Sequence, residues 1–310
     1  NGVHGRPRQF SLEMEIPELE GGLKVLDSGI AYVKWPLKRQ SKHRLEIDIL
    51  ALCTGLRPVV MVDYGGKMPE LKEKLSALVN FCREESSFFE QLRVMTIEDM
   101  IYLVHTGGLA NFVESSLNSE AVLHFVDIEK DPPQMIAEAE NSSLAMQLEL
   151  IQRFFSSVFP VSGLNADFSP SRVNDDAVNS KTASVDFLDL SSCMQDTELT
   201  LPTINGWLLG YPVVYLFGKN NIADAVHNLS THYLHVFSIS VCRNALTTKG
   251  PQDEELMSFS VPYEVSMGGR NEAWAEVFLS AMQAKWERCR HVWGPLQMEV
   301  SECHPLAIAL

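Results

Sequence analysis

Several short stretches of this chain hold residue types that do chemistry. The first is Val62-Asp63-Tyr64-Gly65-Gly66, which closes the apolar run Pro58–Val62. An acid at the carboxyl end of a strand, followed by glycines and a helix, is the geometry of many cofactor sites. The glycines let a ligand approach the backbone, and the helix N-terminus carries partial positive charge. The same residues also make a plain strand-to-helix turn in which Asp63 caps backbone amides. A second acid, Asp127, follows the apolar run Val122–Val126 and is trailed by Glu129. If the two strands are parallel neighbours, Asp63 and Asp127 project at one sheet edge and could hold a metal, a ribose or a basic group; as unrelated turn caps they do nothing together.

Three imidazoles, His227, His232 and His235, crowd into His-Asn-Leu-Ser-Thr-His-Tyr-Leu-His. Clustered histidines suggest zinc. Here the segment reads as a turn entering a strand, so the rings need not converge, and no HExxH or cysteine pair supplies a second ligand set. No metal is therefore expected, and no particular cofactor is indicated. Tyr211 lies in Leu209-Gly210-Tyr211-Pro212-Val213, where the glycine and proline imply a kink that could turn its hydroxyl toward a cleft. A kinked core strand explains the same residues. No G-x-S-x-G or Walker A pattern occurs. Cys53, Cys82 and Cys242 fall in apolar runs, where a free thiol is usually a small core residue. Cys303-His304 is adjacent in sequence only.

The elements that must position these residues begin near Arg44. Leu45, Ile49, Leu52 and Leu56 predict a helix, and Pro58–Val62 a strand buried on both faces. Pro69 opens a helix through Leu71, Leu75, Leu78 and Val79. Leu92–Met95 reads as a strand, and Thr96 with Asp99 as a capping box for a helix through Met100, Ile101 and Val104 that Gly107-Gly108 ends. A further short helix follows at Leu109–Leu117, and Ser142 or Ser143 caps a longer one through Phe155. Trp207–Phe217, Leu234–Cys242 and Leu256–Tyr263 read as strands in an antiparallel meander, before a helix from Asn271 to Trp286 and a last strand at Gln297–Val300. The expected fold class is α/β to α+β: a mixed sheet with an N-terminal βαβ-type half and a C-terminal antiparallel meander, helices packed on it. Residues 1–43, including the basic stretch Lys34–Arg44, read as an irregular, solvated arm. Residues 44–310 read as one domain, interrupted by an acidic flexible loop at about 162–200.

The 310 residues carry 40 Asp and Glu against 25 Lys and Arg, a formal net charge of −15. That disfavours a general nucleic-acid binder and electrostatic docking to an anionic membrane. No apolar stretch approaches a membrane span, and Asn1–Gln9 has no signal-peptide pattern. The 6 cysteines form no framework, so reduced thiols and a cytoplasmic or nuclear location are expected.

The order of motifs carries a resemblance. Val62-Asp63-Tyr64-Gly65, Gly210-Tyr211-Pro212-Val213, Phe259-Ser260-Val261-Pro262 and the apolar end Pro305–Leu310 resemble the uncharacterised family, with a domain of unknown function, represented by chromosome 1 open reading frame 74 proteins. The resemblance spans roughly residues 44–310, implies a soluble intracellular eukaryotic protein, and supplies no catalytic residues.

With no complete catalytic constellation, the expected function is a non-enzymatic interaction or regulatory protein with protein partners. The alternative is an enzyme with a Rossmann-like pocket for a nucleotide-type cofactor, possibly a methyltransferase, centred on Asp63, Tyr64, Gly65, Gly66, Asp127 and Tyr211. A metal hydrolase using His227, His232 and His235 is a third.

Overall fold

The segment Leu45-Glu46-Ile47-Asp48-Ile49-Leu50-Ala51-Leu52 is too apolar for a helix with one dry face, and it has two. In the computed structural model, which describes residues 16–118, 123–161, 187–243 and 252–306, it forms α2 (Arg39–Cys53). Leu45, Ile49 and Leu52 enter one core, while Ile47, Leu50 and Ala51 enter another. Before it lies α1 (Ile16–Tyr32), so part of the expected irregular arm is helical, with Leu26 and Ile30 packed inward. Residues 1–15 lie outside the described residues. Arg44 of the supposedly solvated basic stretch reaches inward to Asp48 and to the backbone carbonyl of Glu255.

The N-terminal sheet contains β1 (Val59–Met61), β2 (Leu92–Ile97), β3 (Met100–His105) and β6 (Phe187–Asp189) in the order β1-β3-β2-β6. β3 is antiparallel to both β1 and β2, so those two run parallel with β3 between them, joined over the top by α3 (Glu70–Glu85). This is a split βαβ unit, and β6 adds to β2 in parallel. Alternate residues face opposite ways: Val94, Ile101 and Leu103 pack under α1–α3, whereas Met95, Tyr102 and Val104 face the second core.

One expectation fails here. Met100–Val104 is a strand, not a helix, and Glu98-Asp99 forms the hairpin turn, with Glu98 at φ +51°. The run is buried on both faces, so neither helical nor strand periodicity is visible in it. Gly107 and Gly108 open the next helix, α4 (Thr106–Leu117), instead of closing one. His105 Nδ1 accepts from Gly108 N–H (3.0 Å) and Gln91 Oε1 from Gly107 N–H (3.0 Å); a Cβ on Gly107 would sit 2.5 Å from that oxygen.

A second, small sheet holds β4 (His124–Asp127), β5 (Gln134–Met135) and β7 (Val213–Leu216) in the order β5-β4-β7, with β4 parallel to β7. Between β4 and β7 the chain passes through α5 (Ser143–Val158), capped by Ser142 as expected, and α6 (Leu201–Leu208). The expected strand at Trp207–Phe217 is thus the end of a helix and then β7. Leu201–Leu208 is buried nearly all round, which hides its helical period, and Gly210 at φ +78° makes the break. Of the acidic stretch, residues 162–186 lie outside the described residues, and the remainder forms β6 and a 3-10 turn at Ser191–Met194.

The third sheet is antiparallel, as expected of the C-terminal half. α7 (Ile222–Thr231) leads into β8 (Leu234–Arg243), which lies between β9 (Gln252–Pro262) and β10 (Trp293–Cys303), with α8 (Ala273–Glu287) crossing from β9 to β10. Phe237, Ile239 and Val241 alternate inward against Trp274, Phe278 and Met282 of α8. The chain is therefore mixed α/β with helices on its sheets, distributed over three sheets and not one. Tyr215 ties two of the sheets together by donating its hydroxyl to the Ser260 carbonyl (2.7 Å).

Candidate functional site

Asp63 and Tyr64 leave β1 on the side where α2 passes. Asp63 is exposed, and Tyr64 turns back so that its hydroxyl donates to Asp48 Oδ2 (2.7 Å). Asp48 is only 2% exposed. Arg44, one helical turn before it, completes its pairing: Nε donates to Oδ2 (3.2 Å) and Nη2 lies 3.0 Å from Oδ1. Burial nevertheless holds the Asp48 carboxyl above its ordinary value, against the pull of Arg44, Tyr64 and Arg57. The Tyr64 phenol is pushed up, first by burial and then by the Asp48 charge.

Arg57, from the loop between α2 and β1, is the other half of this arrangement. Its Nη1 donates to the Leu256 carbonyl of β9 (2.6 Å) and its Nη2 to the Leu209 carbonyl after α6 (3.4 Å), while Nε has no partner. One side chain thus ties the N-terminal half to both later segments. Burial lowers the Arg57 pKa, and Asp48 and Tyr211 oppose the shift.

Tyr211 follows Leu209 and Gly210 in the same turn, its ring 5.3 Å from Phe259. Burial raises its phenol pKa; Arg57 opposes the shift, and the charges of Glu255 and Asp63 add to it. The structure thus brings Asp63 and Tyr64 together with Tyr211, far from them in sequence, around Arg57 and Asp48. The Tyr211 hydroxyl has no hydrogen bond within the described residues.

Gly65 and Gly66 support this cluster from behind. Gly65 has φ +84° and its carbonyl accepts from Trp35 Nε1 (2.9 Å). A Cβ there would lie 2.8 Å from Leu37 Cδ2, so a side chain of this protein, not a ligand, makes the close approach.

Asp127 belongs elsewhere. β1 and β4 are in different sheets, so the adjacency that would have paired Asp63 with Asp127 does not form. Asp127 Oδ1 accepts from the Glu129 N–H (3.0 Å), and Glu129 Oε1 accepts from Gly218 N–H (2.7 Å), which joins two loops at the end of the parallel pair β4–β7.

The histidines also part company. His227 sits on α7, and His232 just after it lies between two acids: Nδ1 is 2.5 Å from Glu264 Oε1 and Nε2 is 2.8 Å from Asp131 Oδ1. Burial works against the charged ring, but hydrogen bonds and charge from Asp131 and Glu264 outweigh it and raise its pKa. His235 is buried on β8, with Nδ1 2.8 Å from the Ser266 carbonyl. Among the described residues, no group of three or more His, Cys, Asp or Glu is placed to hold a metal ion.

All six cysteines are free. Burial pushes Cys82 up to about 12 and Cys193 and Cys289 up to about 11, away from the thiolate form that attacks electrophiles. Cys303 faces the carbonyl of His304, whose ring packs on Tyr233.

Three residues escape motif reading: Asp48, Arg57 and Lys285. Two leave a signal of sorts. Asp48 interrupts the apolar run Ile47–Leu52, and Arg57 directly precedes the apolar run Pro58–Val62. Lys285, in the last turn of α8, leaves none. It is partly buried, and among the described residues its amine has no hydrogen bond or ion pair. Burial first, then Arg288 and Arg57, push that amine down to about 8.

Fold and site together define a mixed α/β protein whose polar clusters join its sheets. The chain belongs to the family described as Domain of unknown function (DUF4504), whose model matches residues 28–310. The family therefore begins at residue 28, inside α1, and not at 44 as the motifs suggest, and its range takes in the acidic stretch. No curated protein and no solved structure matches the chain. Among the described residues no helix is long and apolar enough to cross a membrane.

Proposed function

We propose that this chain is a non-enzymatic interaction or regulatory protein acting through protein partners in the cytoplasm or nucleus. One observation carries the reading: most polar side chains gathered at the candidate sites are engaged in holding the fold. Asp48 is bonded to Arg44 and Tyr64, Arg57 to two carbonyls, Asp127 to its own turn, and His232 to two acids. The hydroxyls that meet a base are likewise engaged: Ser266, 3.1 Å from His235 Nδ1, is fully buried and donates to the Pro262 carbonyl (2.8 Å), and Ser191 donates to Asp189 within its own turn. The split βαβ unit and the occupied face of Gly65 weigh against a nucleotide-type cofactor at Asp63.

The test has two parts. A thermal-shift screen of the purified chain against adenosine-type cofactors is expected to show no stabilisation that depends on Asp63. Affinity capture followed by reconstitution is expected to give a stoichiometric complex with a purified protein, weakened when residues 165–186, four acids against two cations and short of β6, are deleted. An adenosine-type cofactor that raises the midpoint by several degrees, with the rise lost in a folded Asp63→Ala variant, contradicts the proposal.

A further inference from the structure

We propose that the outer edge of β10 is a docking site for an extended segment of another protein, which adds as a further strand to the third sheet and carries cations on one face. The inference rests on the interaction reading and names its surface and the kind of partner. It begins from the hydrogen bonding of that sheet. Tyr263 N–H donates to the Tyr233 carbonyl (2.9 Å), one step beyond the pair Leu234–Pro262. Successive residues of an antiparallel strand bond to opposite sides. His235 and Phe237 of β8 therefore bond to β9, while Leu234, Val236 and Ser238 bond to β10. Their partners on β10 are Cys303, Ser301 and Glu299. Met298, Val300 and Glu302 thus point their N–H and C=O groups the other way, off the sheet.

The two edges of this sheet are finished differently. On β9 the Ser260 carbonyl accepts from Tyr215, and the carbonyls of Glu255 and Leu256 accept from Arg44 and Arg57. On β10 only the beginning is closed, where the Gly294 carbonyl accepts from Trp286 Nε1 (2.7 Å) and the register shifts before Leu296. From Leu296 to Cys303 the outward backbone groups have no hydrogen bond among the described residues. A row of unpaired donors and acceptors along an edge is a template for another strand. The side chains select that strand. Gln297, Glu299 and Ser301 are exposed on the face away from α8, while Met298 and Val300 turn toward the core. Two acids, Glu299 and Glu302, and no cation lie between Trp293 and Cys303. A strand added here sets one row of side chains beside Glu299 and the alternate row beside Met298 and Val300. Alternating basic and apolar residues fit both rows, because opposite charges across a strand pair attract. A second copy of the chain fits less well: it sets the same acidic edge against itself and joins two chains of net charge −15.

The experiment uses the full chain and a short fluorescein-labelled peptide that alternates lysine and valine. Anisotropy reads binding, and amide hydrogen exchange by NMR reads its place. The peptide is expected to bind, to slow exchange at Met298, Val300 and Glu302, and to bind less well as salt is added. N-methylation of every second peptide amide is expected to abolish binding in one phase and to spare it in the other, because only alternate residues face β10. A peptide with glutamate in place of lysine is expected not to bind. Glu302→Pro removes an outward N–H and no bond to β8; it and Glu299→Lys are each expected to weaken binding at least about fivefold, the equivalent of one lost hydrogen bond. Lys24→Gln on α1 should leave binding unchanged. Should a β10 variant fail to fold, the two N-methylated peptides decide the matter on the unaltered protein. No binding, binding indifferent to the phase of N-methylation, or a free chain that dimerises until Glu302→Pro is introduced overturns the proposal. A reconstituted protein complex that leaves exchange at the three amides unchanged also overturns it, while the interaction reading stands; failure to obtain any complex counts against that reading itself.

Discussion

His232 and Lys285 stand at opposite extremes of how this protein treats a titratable group. His232 lies between Asp131 and Glu264, and its neighbours favour the charged ring. Lys285 has no such partner among the described residues, and burial first, then the charges of Arg288 and Arg57, disfavour its charged amine. The first arrangement holds the ring between an acid on each side, both within hydrogen-bond reach, and it fastens the β4–β5 loop to the turn after β9. The second is incomplete. Where a charge has its opposite at hand, the polar cluster is a structural tie; where it has none, the group is pushed toward its neutral form.

The contrast can be broken most forcefully at Arg57, which belongs to both kinds of cluster. Arg57→Met keeps bulk but abandons the Leu209 and Leu256 carbonyls and leaves Asp48 with one cation fewer. We expect a loss of about 3 kcal/mol in denaturant unfolding. Lys285→Gln, by relieving repulsion, should cost nothing or stabilise. Equal losses in the two variants would erase the distinction between tie and surplus.

Tyr64→Phe tests the closed cluster more gently. It removes the hydroxyl that Asp48 accepts from, and a cost of about 1–3 kcal/mol is expected. Asp63→Ala, one residue away but exposed, should change stability by less than about 0.5 kcal/mol.

The smallest effect concerns pH. The His232 pKa is raised in the folded protein, so its contribution is fully present below the ordinary value of 6.5 and is lost as pH rises through the folded value. Wild-type stability should therefore fall over that window relative to His232→Gln. Parallel curves for the two proteins would show that the clasp contributes nothing.

Much of this was legible in the chain itself. β1, the helix after Pro69, the Ser142-capped helix and the long C-terminal strands follow from apolar runs bounded by Pro, Gly and Ser. Segments buried on every side were not legible. Met100–Val104 and Leu201–Leu208 have no polar face, so their period is silent and their type is set by neighbours. The same limit applied to the candidate site. Asp63, Tyr64 and Tyr211 stood out because glycine and proline mark their turns. Asp48 and Arg57 are interpretable only once the contacts from β9 and the turn after α6 are known. Asp127 was legible as a strand-end acid, but strand order, a long-range property, decides that it stays apart from Asp63.

The most direct test of the central claim compares two lysines of one protein. Lys42 is paired with Asp27 at 2.8 Å, and its pKa is raised above 10.5. Lys285 should titrate near 8. Reductive methylation with carbon-13 followed by NMR titration resolves the two amines. The account predicts a Lys285 resonance that titrates well below that of Lys42. A Lys285 resonance that titrates alongside Lys42 would contradict it.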